Sequence, residues 1–102
     1  MRTVVRVRAG AYSSVDFLNE AVGLVSDYAS KANDAPDDMS NVFTVWYGYV
    51  LGNMKALFGT TFNDGRYYEV TFSRETSEVY LDVYVKEHNE SLTVSSSERS
   101  NQ

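Results

Sequence analysis

The sequence predicts an α+β fold with the element order β-α-α-β-β-β, in which two helices pack on one face of an antiparallel sheet. Three observations support this prediction. Valines alternate loosely near the N-terminus, apolar residues then recur at helical spacing, and period-two alternation returns in the C-terminal half. Helices grouped ahead of consecutive strands are typical of this class, because an apolar sheet face needs a separate layer to cover it.

The length of 102 residues fits one domain, which we expect over residues 1–94. Residues 95–102 contain no apolar side chain. Because such a segment has nothing to bury, it is predicted to be a disordered polar C-terminal tail.

The first strand and the first helix are predicted over residues 2–9 and 14–32. Valine-rich alternation favours a strand in the first segment. In the second segment apolar residues recur at intervals of three and four, which is the pattern of an amphipathic helix. Ser13 or Ser14 can cap this helix, and Asp16 favours its positive N-terminal end.

Residues 40–58 are predicted to form the second helix, after a linker that holds the single proline. One helical face would collect Val42, Trp46, Val50, Met54 and Leu57. A strand of about ten residues is the alternative, because residues 42–51 are nearly all apolar or aromatic and include β-branched residues. We favour the helix because the apolar pattern continues past Gly52, and because Gly59 stands where a helix would end.

The C-terminal half predicts three antiparallel strands. Asn63-Asp64-Gly65 is a strong turn signal ahead of them. Alternation over residues 67–72 and 79–85 predicts two strands joined by a short polar turn, and residues 92–94 predict a short third strand.

Composition excludes several classes of function. The chain has no cysteine, so disulfides, thiolate metal sites and a cysteine nucleophile are ruled out. His88 is the single histidine and lies in a predicted turn, where no second histidine can act with it. A phosphate-binding glycine loop is also missing. We therefore predict a protein that is not an enzyme and that has no metal, no cofactor and no small-molecule substrate.

No apolar run has the length of a membrane helix, and no signal peptide opens the chain. These observations predict a cytoplasmic protein without a membrane partner. The net charge of −5 disfavours non-specific binding to nucleic acid, because that binding depends on phosphate neutralisation.

The first candidate site is an acidic cluster on and after the first helix, formed by Asp27, Asp34, Asp37 and Asp38. These carboxylates lack the alternating ligands, central glycine and closing glutamate of a calcium loop. A solvated linker explains them without a function. The functional alternative is an acidic surface that occupies a basic, nucleic-acid-binding groove on a partner protein, for example a nucleic-acid-handling enzyme.

The second candidate site is an aromatic surface on the predicted second helix. In a helix, Tyr47 and Leu51 would be turned about 100° away from Trp46 and Val50. If the Trp46 side meets the sheet, the Tyr47 side is left for a partner. We therefore predict a protein-binding surface or a symmetric homodimer at Tyr47 and Leu51.

The third candidate site is the sheet face that points away from the helices. Alternation places arginines and tyrosines there, among them Arg6, Arg8, Tyr67, Tyr80 and Tyr84. Tyrosine rings can stack on bases and arginines can hold phosphates, so this face is a candidate for single-stranded nucleic acid. The same residues are also ordinary cross-strand stabilisers of a solvated face.

In its small size, its acidity and its lack of a catalytic set, the chain resembles small accessory proteins of phages and mobile elements, including anti-CRISPR and antirestriction inhibitors. The resemblance implies an inhibitor that occludes a partner's surface. Our leading hypothesis is accordingly a non-enzymatic protein-binding module. The alternatives are single-stranded nucleic-acid binding through the arginine-tyrosine face and a structural homodimer.

Overall fold

The structure is a computed structural model that describes residues 2–6 and 13–86. Within those residues it has one α-helix, a short 3-10 helix and five strands. In chain order the elements are β1 (Arg2–Arg6), α1 (Ser14–Ala32), the 3-10 helix (Met39–Asn41), β2 (Val42–Val50), β3 (Asn53–Thr60), β4 (Arg66–Ser73) and β5 (Glu78–Val85).

The strands form a single sheet in the order β1-β5-β4-β3-β2, with every neighbouring pair antiparallel. Strands β2 to β5 are a meander, in which each strand pairs with the next along the chain. Strand β1 lies at one edge of the sheet and β2 at the other. The segment with α1 therefore connects the two edges, and the helix lies across one sheet face.

The predicted helix over residues 14–32 is confirmed. Ser13 caps it with a capping box, since its hydroxyl accepts from the backbone N–H of Asp16 and the Asp16 carboxylate accepts from the N–H of Ser13. At the other end the Asn33 side chain donates to the carbonyl of Ala29 at 2.9 Å. The buried stripe between these caps includes Phe17, Ala21, Val25 and Ala29, all with no exposed surface.

The core lies between this stripe and the alternate residues of the three central strands. Strand β3 contributes Met54, Ala56 and Phe58, β4 contributes Tyr68, Val70 and Phe72, and β5 contributes Val79, Leu81 and Val83. The register places these side chains side by side, with Ala56 opposite Val70 and Val70 opposite Leu81. Burial therefore follows the period of two that was predicted for β4 and β5.

The predicted second helix is wrong, and so is the order β-α-α-β-β-β with two helices on one face. Residues 42–60 form a hairpin of β2 and β3 instead. Leu51 and Gly52 make a two-residue turn in which both residues have positive φ, 52° and 82°. That conformation is the tight turn that joins antiparallel strands, and it cannot be part of a right-handed helix.

The terminal segments and one turn remain to be compared with their predicted positions. The first strand was predicted over residues 2–9; the structure has β1 over Arg2–Arg6, and residues 7–9 lie outside the described residues. The third C-terminal strand at residues 92–94 and the polar tail at 95–102 lie outside the described residues. The turn at Asn63-Asp64-Gly65 is confirmed, with Gly65 at a φ of 74°.

Candidate functional site

The sheet face opposite α1, called the open face below, has no element packed on it among the described residues. One row of side chains crosses this face through all five strands. The register aligns Arg2 with Asp82, Asp82 with Glu69, Glu69 with Leu57, and Leu57 with Trp46. The row changes from charged at the β1 edge to apolar at the β2 edge.

The charged side of the open face is neutralised by its own ion pairs. Arg2 donates two hydrogen bonds to the Asp82 carboxylate, from Nε at 2.7 Å and from Nη2 at 3.0 Å. These bonds raise the pKa of the Arg2 guanidinium. Lys55 lies 3.3 Å from the Glu69 carboxylate. Each of these two cations is held by a neighbouring acid, so neither is free to bind a phosphate.

The three candidate tyrosines do lie together on the open face. Tyr67 and Tyr84 stack, with ring centroids 5.0 Å apart and an interplanar angle of 17°. The Tyr84 hydroxyl donates to Glu69 at 3.2 Å, and burial followed by the Glu69 charge raises the Tyr84 pKa. Tyr80 donates to Glu78 at 2.9 Å. Two of the three tyrosine hydroxyls therefore already have a carboxylate partner within the sheet.

The two candidate arginines of the open face are Arg6 and Arg8. Arg6 ends β1, where its backbone is paired with Glu78 of β5. Arg8 lies outside the described residues. The Arg2 guanidinium lies over a tyrosine ring of the open face, with its Cζ 4.6 Å from the ring centroid of Tyr80. Nucleic-acid binding by this face stays a prediction.

The apolar side of the open face is formed by four residues of β2, called the aromatic band below: Phe43, Val45, Trp46 and Val50. Their side chains are exposed by 39% to 56%. Strand β2 has a bulge between Thr44 and Trp46, which breaks its strict alternation. As a result Val45 lines the same groove as Leu57 and Tyr67 of the open face.

Two glycines let the rings of Trp46 and Phe43 lie close to the backbone of the sheet. A β carbon added at Gly48 would be 2.8 Å from the Trp46 ring, and one added at Gly59 would be 2.6 Å from the Phe43 ring. Both distances are shorter than ordinary van der Waals contact, so a larger residue at either position would displace the ring. Gly48, inside the predicted helix, and Gly59, at its predicted end, therefore leave room for aromatic rings on the sheet.

A groove of ≈ 490 Å³ borders the aromatic band. The groove beside the band is lined by Phe43, Val45, Leu57, Phe62 and Tyr67, with Arg66 and Lys86 among its polar residues. Arg66 forms an ion pair with Asp64 at 2.8 Å, and this hydrogen bond raises its pKa. The groove thus extends the aromatic band with a surface that is apolar on the β2 side and polar at Arg66 and Lys86.

The acidic cluster is largely occupied by local contacts. Asp27 pairs with Lys31 at 3.3 Å one helical turn away, and Asp37 accepts a hydrogen bond from Ser26. Asp38 caps the 3-10 helix, where bonds from the Ser40 hydroxyl and backbone N–H lower its pKa. The fourth carboxylate, Asp34, stands on a turn residue with a φ of 52°. All four residues are exposed, yet three of them have a structural partner.

Tyr47 and Leu51 do not share a surface, which corrects the predicted helical interface. Tyr47 is half-buried on the α1 side of β2, with its ring centroid 6.2 Å from that of Phe17. Leu51 is 97% exposed at the tip of the β2–β3 turn. Asp38 precedes β2 and Leu51 follows it, so a strand of about 30 Å separates the acidic cluster from Leu51.

The aromatic band was missed because its residues were assigned to a helix. One signal in the sequence pointed to it. The segment 42–50 combines β-branched and aromatic residues with a glycine, and this composition favours a strand over a helix.

The described residues contain neither a cluster of metal ligands nor a membrane-spanning helix. No group of three histidine, cysteine, aspartate or glutamate side chains could hold a metal ion there. Among the same residues, no helix is long and apolar enough to cross a membrane.

Comparison with known proteins finds a match to one family. The sequence profile of a family of unknown function, DUF6275, matches residues 18–94. No curated protein and no solved structure matches the chain significantly. The matched residues include most of α1 and all of β2 to β5, and therefore the whole aromatic band. Because the match spans well over half of the sequence, the chain belongs to the DUF6275 family.

Proposed function

We propose that this protein is a non-enzymatic binding module that holds a partner protein against its aromatic band. The observation that carries the proposal is the exposure of four adjacent large apolar residues on one strand, Phe43, Val45, Trp46 and Val50. Contiguous apolar surface of this kind is unfavourable in water and marks interaction sites. Tryptophan in particular is enriched among the residues that dominate binding energy at interfaces.

The chemistry of the band favours a protein over a nucleic acid. Binding to a phosphate backbone needs free cations, because the release of counterions supplies most of its affinity. On the open face Arg2 is paired with Asp82 and Lys55 with Glu69. The band itself has no charged residue. Apolar side chains of another protein are therefore its best complement.

The charge of the chain indicates what surrounds the apolar contact on the partner. The net charge is −5, so long-range attraction favours a partner whose contact is bordered by basic residues. The more specific hypothesis, in which the acidic cluster fills a nucleic-acid-binding groove, stays a prediction. It has less support than the aromatic band because Asp27, Asp37 and Asp38 already have partners within the chain.

The test compares matched alanine variants on the two edges of the open face. A photo-crosslinking residue at Val45 first identifies the partner in cells. The partner's affinity is then measured for Trp46→Ala and for Val4→Ala, whose side chain is 49% exposed on β1 at the far edge. We expect Trp46→Ala to weaken binding at least about tenfold, which is typical of truncating an interface anchor, and Val4→Ala to leave it unchanged.

Two outcomes would contradict the proposal. Equal loss in both variants would show that the aromatic band is not the contact. Binding of single-stranded DNA or RNA tighter than roughly micromolar at physiological salt, abolished by Tyr67→Ala with Tyr84→Ala, would instead establish the nucleic-acid alternative. Circular dichroism of each variant controls for loss of the fold.

A further inference from the structure

The outer edge of β2 has backbone groups with no strand beside them among the described residues. The two-residue turn makes Val50 and Asn53 a hydrogen-bonded pair at one end of the β2–β3 ladder. At the other end the Thr61 N–H donates to the Asn41 carbonyl at 2.9 Å. Counting alternate residues from Val50 leaves the N–H and C=O groups of Tyr49 and Tyr47 pointing away from β3, and counting from Asn41 leaves those of Val42 and Thr44. The Val42 N–H already donates to the carbonyl of Met39, so the open N–H groups are those of Thr44, Tyr47 and Tyr49.

Strand β2 also lacks the side chains that commonly protect an edge. It has no charged residue and no proline over its nine residues. The opposite edge strand is different, because β1 has Arg2 and Arg6 in only five residues. Strands β3, β4 and β5, which are paired on both sides, each contain charged residues as well. Strand β2, the one strand of the five described without a charged residue, therefore lies at an edge of the sheet.

A second copy of this chain can lie against that edge because the edge itself has no charge. Two copies that each have a net charge of −5 repel one another, so their contact is best made through segments without charge. From Met39 to Met54 the sequence has no charged residue. An antiparallel pair of identical strands is also compatible with a two-fold axis, in which the same outward groups serve as donors and acceptors on both sides.

We propose that two copies of the protein pair antiparallel through β2 and join their sheets into one continuous sheet. Each backbone group left open at Thr44, Tyr47 and Tyr49 then meets one from the other copy. The two aromatic bands come to lie side by side across the two-fold axis and form one larger apolar surface. The pairing depends on backbone groups and does not require the partner protein of the proposed function.

The experiment measures mass and amide exchange of the full chain without any other protein. Sedimentation equilibrium should show a concentration-dependent rise from 11.5 kDa to twice that mass, with a dissociation constant at or below roughly 100 μM. In NMR hydrogen exchange, the amides of Thr44, Tyr47 and Tyr49 should become protected as the dimer forms. Amides that already bond to β3, such as that of Gly48, should be protected at every concentration.

A matched pair of variants tests the edge itself. Thr44→Pro removes an N–H that points away from β3, so the ladder within the chain keeps its bonds while the bond to the other copy is lost. Thr44→Val keeps the N–H and the branched shape. We expect the proline variant to be a folded monomer and the valine variant to dimerise like the unmodified protein.

Several results would overturn the inference. A protein that remains monomeric at about 1 mM would do so, as would a dimer in which the three amides stay unprotected. A monomer with protected amides would mean that another segment of the chain covers the edge. If Thr44→Pro unfolds, the amide exchange pattern of the unmodified protein still decides whether two copies pair through β2. Failure of partner binding in the Trp46→Ala test would leave the dimer measurement unaffected.

Discussion

The indole ring of Trp46 lies over Gly48, two residues further along the same strand. A β carbon at Gly48 would be 2.8 Å from the ring, so the ring and a larger side chain cannot occupy this place together. The conformation of an exposed candidate anchor is therefore held by a neighbouring residue that has no side chain. Pre-ordering of this kind lowers the entropy that an anchor loses on binding.

Replacing Gly48 by alanine should move this ring away from the sheet. The chain has one tryptophan, so its fluorescence reports on Trp46 alone. We expect Gly48→Ala to shift the emission to longer wavelength and to increase quenching by acrylamide, because the ring becomes more exposed. Stability should change by no more than about 1 kcal/mol, because the displaced ring is already half-exposed.

Gly23→Ala is the control for this substitution. A β carbon at Gly23 in α1 would meet nothing within 4 Å. The control should leave the tryptophan emission unchanged and raise stability by roughly 0.5–1 kcal/mol, since alanine is the better helix former. Identical emission from the Gly48→Ala variant and the unmodified protein would show that the ring does not rest on Gly48.

Leu51→Asn should stabilise the protein. Leu51 has a φ of 52° in the β2–β3 turn, and asparagine tolerates this left-handed conformation better than leucine. Little apolar burial is lost, because the leucine side chain is 97% exposed. We expect a gain of about 0.5–1 kcal/mol in urea unfolding and a loss for Leu51→Val, whose branched side chain disfavours positive φ. A clear loss for Leu51→Asn would indicate that Leu51 is covered in solution.

Tyr68→Phe should not destabilise the protein, although Tyr68 is fully buried in the core. Its hydroxyl has no hydrogen-bond partner among the described residues. Removing a buried hydroxyl without a partner relieves its desolvation while the ring contacts remain, including the edge-on contact with Tyr28 at 5.9 Å. We expect stability at pH 7 to be unchanged or higher by about 1 kcal/mol.

The same substitution should change the response to alkali. Burial raises the pKa of Tyr68 to about 12, above the ordinary tyrosine value of about 10. Because the folded state holds this proton more tightly, its contribution to stability is complete below about pH 10 and is lost as the pH rises towards 12. Urea unfolding at pH 7 and near pH 11 should therefore show a smaller alkaline loss for Tyr68→Phe than for the unmodified protein. Equal losses would place the hydroxyl in contact with water.

Local sequence was sufficient to predict α1 and the strands β4 and β5. The buried stripe of the helix and its cap at Ser13 and Asp16 depend on residues only a few positions apart. The alternation that buries Tyr68, Val70 and Phe72 is likewise a local pattern, and it also placed Tyr67 and Tyr84 together on the open face.

Tertiary structure decided the secondary structure of residues 40–60, and with it the position of the aromatic band. Its apolar residues fit both a helical and a strand period, and periodicity alone cannot choose between them. The pairing of Ala56 with Val70 of β4, and the burial of both beneath α1, exist only once the chain has folded. The bond from Arg2 to Asp82, 80 residues apart, likewise neutralises a cation that the sequence left available for phosphate. Composition and short-range spacing thus determined which elements could form, whereas contacts between distant residues determined which face stayed open and which of its charges were already paired.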